Sequence, residues 1–230
     1  MSIKYQLKRS KNRKTLAIKI KSKEVFVYAP MHLKHDFIKQ WLMQKQGWID
    51  KHLEKQIKRI DAASVLTQKT LTILGEEINL IFVEGQVKSN VELVDGVLSI
   101  NTSRRVKNVS DKQLALIADF AKNKLTDYCS AKAQRLAKQI NESFHSVSVK
   151  HVRSRWGACD SKRRLQFNLQ LVSAPLWVID YVVAHEVAHL KVMDHSRRFW
   201  QTVESIYPDY RKAENWLKEN GYKLDIFKLE

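Results

Sequence analysis

The sequence predicts an α+β fold, on three observations. Two stretches alternate apolar and polar residues as half-buried strands do, Tyr5 to Tyr28 and Leu71 to Ile100. Two other stretches, about 34–61 and 110–143, space their apolar residues three and four apart as amphipathic helices do. The composition, 44% hydrophobic with only 6 Gly and 3 Pro in 230 residues, is that of a globular chain and excludes collagen-like, low-complexity and disordered classes.

Taken in order, Tyr5 to Leu7, Thr15 to Ile20 and Val25 to Tyr28 are strand candidates, the last two joined as a hairpin, and Pro30 ends them. Phe37, Ile38, Trp41, Leu42, Trp48, Ile49, Leu53, Ile57 and Ile60 then predict a Lys-rich amphipathic helix broken near Gly47, with both tryptophans in its core. Leu71 to Leu74, Ile78 to Val83, Val91 to Val94 and Val97 to Ile100 are strands. Asp95-Gly96 between the last two is a hairpin signal. Ser110 is placed to cap a helix running to about Ser143. Val147 to Val152 and Leu165 to Leu171 read as strands around a basic loop, Arg153 to Arg164. Pro175 sits at the first turn of a helix reaching about Val192, Ser196 opens another, and a last one precedes Gly221. The expected organisation is a β-rich, basic N-terminal region, residues 1–109, with one amphipathic helix, followed by an α+β domain over residues 110–230.

The net charge of +17 is uneven: residues 1–60 hold 16 Lys and Arg against 4 Asp and Glu. Such a basic region suits a nucleic-acid partner, since each cation that meets a phosphate releases counterions. Trp41 and Trp48 are aromatic candidates for stacking there, although their helical spacing favours the core. The longest apolar runs are far shorter than the ~18 residues of a membrane span, and MSIKYQLKRSKNRK leads into no apolar signal core. A cytoplasmic protein without a membrane partner is expected. Cys129 and Cys159 are too few for a disulfide framework and read as reduced, packed thiols.

His185-Glu186-Val187-Ala188-His189 carries the chemistry. Residues four apart on a helix stand on one face, about 6 Å apart along the axis, so two imidazoles can grip one ion. Glu186 projects beside that face, where it can take a proton from water without occupying a coordination position. His195, ten residues after His185, completes a metal set of His185, His189 and His195 if the chain turns back after Val192. Three imidazoles leave a fourth tetrahedral position open, which favours zinc (Zn²⁺) in a hydrolytic site. The offset from His185 to His195 equals that of metzincins, but Val192 stands where their signature has Gly. Glu204, on the following helix, is the rival third ligand.

Arg155-Trp156-Gly157-Ala158-Cys159, Asn168, Pro175, the HEVAHL stretch His185 to Leu190, Asp194-His195-Ser196 and Phe199-Trp200 resemble the YgjP-like family of zinc metallopeptidases. The resemblance covers nearly the whole chain and extends, more distantly, to SprT-like and WLM metallopeptidases. It implies a compact zincin-like fold, His185, His189 and His195 on zinc, Glu186 as the catalytic general base, and a protein or peptide substrate. The SprT-like analogy supports the alternative of a nucleic-acid-associated factor whose basic N-terminal region binds DNA and whose metal site is structural or acts on DNA-bound proteins. By similarity to zincins, the strand Leu165 to Leu171 would be the edge that pairs with an extended substrate. Tyr207, His151 and Arg155 are candidate oxyanion donors, and Asp194 either orients a ligand imidazole or belongs to a turn.

Overall fold

The computed structural model describes residues 4–21, 24–61, 65–68, 70–152 and 154–227. They form two compact units, Met1–Ala62 and Ala63–Glu230. In the first, β1 (Tyr5–Ser10), β2 (Ala17–Lys21) and β3 (Glu24–Pro30) make a sheet in the order β1-β3-β2. β2 and β3 are the expected antiparallel hairpin, and β1 returns parallel to β3. Val25, Val27 and Ala29 share a buried cluster with Ile38, Leu42 and Ile49 of α1 (His35–Gln44) and α2 (Gln46–Asp61). The break between the helices falls at Lys45, two residues before Gly47. Trp41 packs on this cluster as expected. Trp48 does not: it is 45% exposed and stacks on His52 at 3.9 Å. The side chains of Ile57 and Ile60 lie outside the described residues.

The second unit contains β4 (Thr70–Ile73), β5 (Glu76–Gln86), β6 (Asn90–Val94) and β7 (Val97–Ser103) in the order β4-β5-β7-β6. At Asp95-Gly96 both residues have positive φ, 48° and 75°. That backbone twists with the flanking strands, which is why the dipeptide signals a hairpin. α3 (Val109–Gln139) starts from Asn108, whose side chain accepts the Asp111 N–H at 3.3 Å, so Ser110 is not the cap. The buried stripe of α3, with Ile117, Ala121 and Leu125, joins Leu71, Ile73, Leu98 and Ile100 of the sheet in one core. This shared core is the reason the compact units divide at residue 62 and not near residue 109. A cut at 109 would strip α3 from the sheet face it covers and expose both.

β8 (Ser146–Lys150), β9 (Gly157–Cys159) and β10 (Arg164–Asn168) form a third sheet in the order β8-β10-β9. Two expectations change here. The Leu165 to Leu171 strand ends at Asn168, whose side chain accepts the Gln170 N–H at 3.1 Å and starts a 3-10 turn, Leu169–Ser173. The basic loop contains a strand, β9, which pairs antiparallel with β10, so β10 is the central strand and β8 and β9 are the outer ones. Arg153 lies outside the described residues.

α4 (Leu176–Ala188) follows Pro175 and ends four residues sooner than expected. Nine of its thirteen residues are buried, the mark of a helix embedded in the core. Its Asp180 accepts the Tyr128 hydroxyl at 2.7 Å and pairs with the Lys132 ammonium, both from α3. α5 (Arg197–Ile206) and α6 (Tyr210–Asn220) complete the unit. Among the described residues, no helix is long and apolar enough to cross a membrane.

Lys132→Met leaves a mostly buried carboxylate without its cation and is expected to cost about 1–3 kcal/mol of unfolding free energy. Lys218→Met, in an exposed pair with Glu214 at 2.8 Å, should change stability by less than about 0.5 kcal/mol. Urea unfolding of the two variants beside the wild type checks the contrast.

Candidate metal centre

His185 and His189 stand one turn apart at the end of α4, their ring centroids 5.0 Å apart. His189 is the C-cap, but its φ of −64° and ψ of −20° are helical, so the one-face relation of the motif survives the helix end. Val192 N–H and Lys191 N–H both return to the Ala188 carbonyl, which turns the chain and brings His195 back. Its ring centroid lies 5.1 Å from that of His185 and 4.8 Å from that of His189. His185 Nε2 and His195 Nε2 are 3.1 Å apart, and one nitrogen from each of the three rings falls within 4.8 Å of the others.

That spacing fits a small divalent ion. Two nitrogens bound tetrahedrally at about 2.0–2.1 Å stand about 3.4 Å apart, and an all-imidazole set suits zinc, copper, iron or nickel. The ring orientation fits too. His189 Nδ1 donates to the Val192 carbonyl at 3.1 Å, which leaves the lone pair on Nε2. His185 Nδ1 is buried with no hydrogen-bond partner among the described residues. Burial, with the neighbouring imidazoles, lowers His185 to about 3, so it is neutral at pH 7 as a ligand must be.

Phe199 of α5 is the floor on which the three rings rest. It is fully buried, with centroids 4.9, 4.4 and 4.8 Å from His185, His189 and His195. Asp194 Oδ1 accepts the Ser196 N–H at 3.1 Å, and the Ser196 side chain together with that N–H holds its carboxyl below the usual range. Asp194 is thus a turn residue at the entry of α5. Glu204 is exposed on α5 and outside the cluster.

Glu186 is 5% exposed, and burial pushes its carboxyl up to about 8 against the opposing pull of Arg155. Its side chain lies against β9: a Cβ on Gly157 would be 2.4 Å from Glu186 Oε1. The carboxyl and His185 open on a cavity of about 370 Å³, also lined by Arg155, Trp156, Gly157, Tyr181 and Glu214. Of the oxyanion candidates only Arg155 reaches this cavity. The Tyr207 hydroxyl donates to the Trp177 carbonyl at 2.7 Å, and His151 lies 3.1 Å from Gln170 and 3.4 Å from Asp225. Trp156 packs on the core as well as lining the cavity. Burial raises the Cys159 thiol to about 11, so it is not a thiolate at neutral pH.

Among the cavity residues that went unnoticed in the sequence are Tyr181 and Glu214. Tyr181 carried a signal: it precedes His185 by four, on the same helix face, and its ring lies 6.0 Å from that imidazole. Glu214 carried none, because only tertiary packing brings α6 to α4, and Gly157, though part of the family motif, gave no sign there that it makes room for Glu186.

The family described as YgjP-like, metallopeptidase domain, matches the chain over residues 14–220. No curated relative matches it. Two solved structures are similar, those of the metallopeptidase zymogens Pyrococcus abyssi abylysin, 15% identical with a TM-score of 0.37, and Methanocaldococcus jannaschii jannalysin, 16% identical with a TM-score of 0.36. Each alignment covers 40% of this chain, and 93% and 94% of theirs.

Gly157→Ala drives a methyl group into the Glu186 side chain and is expected to cost about 1–3 kcal/mol of stability. Removing that side chain with Glu186→Ala should relieve the clash. In a double-mutant cycle read by chemical denaturation, the double variant is then less destabilised than the sum of the singles by at least about 0.5 kcal/mol.

Proposed function

The chain belongs to the YgjP-like family through its metallopeptidase domain, and from that premise we propose a zinc peptidase in which His185, His189 and His195 hold the ion and Glu186 is the general base. A metallopeptidase takes protein or peptide substrates. The observation that carries the finer reading is the convergence of three imidazole nitrogens within 4.8 Å beside a buried carboxyl that faces an open cavity. When bound, zinc supplies Lewis acidity to a scissile carbonyl and makes a water acidic, near pKa 7.

The chain's own groups do the remainder. Glu186 takes a proton from the attacking water and delivers it to the leaving amine, a transfer worth about 10²–10⁴-fold in rate. Burial favours its neutral form and Arg155 its charged one, and a proton carrier must pass through both. Arg155, on the cavity wall, offers a donor to the oxygen that gains charge. β9 presents an unpaired main-chain edge beside the carboxyl, to which an extended peptide can add as a further strand. Main-chain pairing gives affinity with little demand on side chains.

Metal analysis of the purified wild type should find about one zinc per chain, which His185→Ala and His195→Ala lose. Added zinc should raise the melting temperature of the wild type and of neither variant, because ligands that bind only the native state stabilise it. Glu186→Gln should keep the zinc and lose peptide hydrolysis by at least about 10²-fold; undiminished hydrolysis in that variant overturns the role of Glu186.

A further inference from the structure

We propose that the open face of the N-terminal sheet binds a single-stranded polynucleotide, with Phe26 and Tyr28 as stacking platforms. This rests on the first unit alone and is independent of the peptidase reading.

Alternation divides β3 cleanly. Val25, Val27 and Ala29 enter the core, and so do their partners on the flanking strands, Tyr5, Leu7, Ile18 and Ile20. Phe26 and Tyr28 therefore point to the other side, where both stay half-exposed. Their neighbours on that face follow from the register: Gln6 and Lys19 flank Phe26, and Lys8 and Ala17 flank Tyr28. The Lys8 ammonium rests 5.0 Å from the Phe26 centroid, and the Arg13 guanidinium 5.1 Å from that of Tyr28. Among the described residues neither Lys8 nor Lys19 has a carboxylate partner. The face thus joins two aromatic rings on a central strand to cations on both neighbouring strands, in a region with 16 Lys and Arg against 4 Asp and Glu.

Charge complementarity calls for a polyanion, and the rings decide which one. Residues two apart on a strand lie about 6.6–6.8 Å from each other, room for one unstacked base on each ring. In a duplex the bases are stacked at 3.4 Å and their faces are closed to such rings. Single strands offer those faces freely, and base–aromatic stacking tolerates any sequence. Lys8 and Arg13, on flexible side chains, can then swing from the rings to the phosphates. An acidic peptide has no flat group to use the rings. An anionic bilayer surface also attracts cations beside aromatic rings, and the vesicle probe separates it from a single strand.

The test uses the full chain and fluorescein-labelled oligothymidylate and oligouridylate of about 20 nucleotides, longer than the ~4–16 that a small module covers. A duplex of equal length, polyglutamate, and vesicles of phosphatidylcholine with phosphatidylglycerol are the competing probes. Binding of a single strand at low salt, at least about tenfold tighter than the duplex, is expected. Phe26→Leu/Tyr28→Leu should weaken it about tenfold or more with an unchanged salt slope, since stacking and phosphate contacts are separate contributions. Lys8→Ala/Lys19→Ala, both on the exposed face, should keep the melting temperature and lower the slope of log K against log salt by about 0.7 per cation. No single-strand binding at low salt, a duplex bound as tightly, or equal affinity in the folded leucine double variant overturns the proposal. So does preference for polyglutamate or vesicles with the same dependence on the rings.

Discussion

Everything at the histidine cluster depends on one constraint, that α4 is fixed in the core along nearly its whole length. A helix bearing two imidazoles on its last turn places them only as well as its own axis is held. Here the axis is held by Val178, Ile179, Val182, Val183 and Val187, all buried, against a close-packed interior that resists sub-ångström shifts. Asp180 supplies the directional part, gripped by Tyr128 and Lys132 of α3. Apolar burial fixes where α4 lies, and that polar contact fixes its rotation and register along α3. The His185 and His189 rings inherit both.

His195 is held differently. It comes from an exposed turn, and its place depends on the short connection between α4 and α5 and on the Phe199 ring beneath it. Two imidazoles belong to the rigid core and one to the surface. The same division runs through the carboxyl beside them: Glu186 is fixed by α4, while the space it occupies is fixed by the missing side chain of Gly157 on another element.

What the sequence disclosed follows this distinction. The strands of the first two sheets, the helix break near Gly47 and the three histidines were legible, because each has a local cause: alternation, spacing of three and four, a turn dipeptide or a helix-period motif. The end of the strand at Asn168, the cap assigned to Ser110 and the burial of Trp48 were misread because the competing local signals were close. A strand of apolar residues continues past Asn168 in pattern but not in backbone, and an asparagine two positions earlier outcompetes Ser110 as a cap. That α3 shares its core with the β4–β7 sheet went unread because no local pattern reports that a helix covers a sheet formed before it in the chain. β9 was hidden inside a basic loop, three residues long and too short to show a period. Gly157 and Glu214 enter the cavity only through packing between elements distant in sequence, and single residues carry no mark of that.

β9 also shows how the fold manages a hazard. An unpaired strand edge is an invitation to any passing extended chain, including another copy of the same one. With only Gly157 to Cys159 in the strand, the edge offers a few main-chain groups, too few to seed a growing sheet between molecules. Brevity lets that rim stay open where a longer one would need shielding, and it confines whatever docks there to a short span beside the cavity.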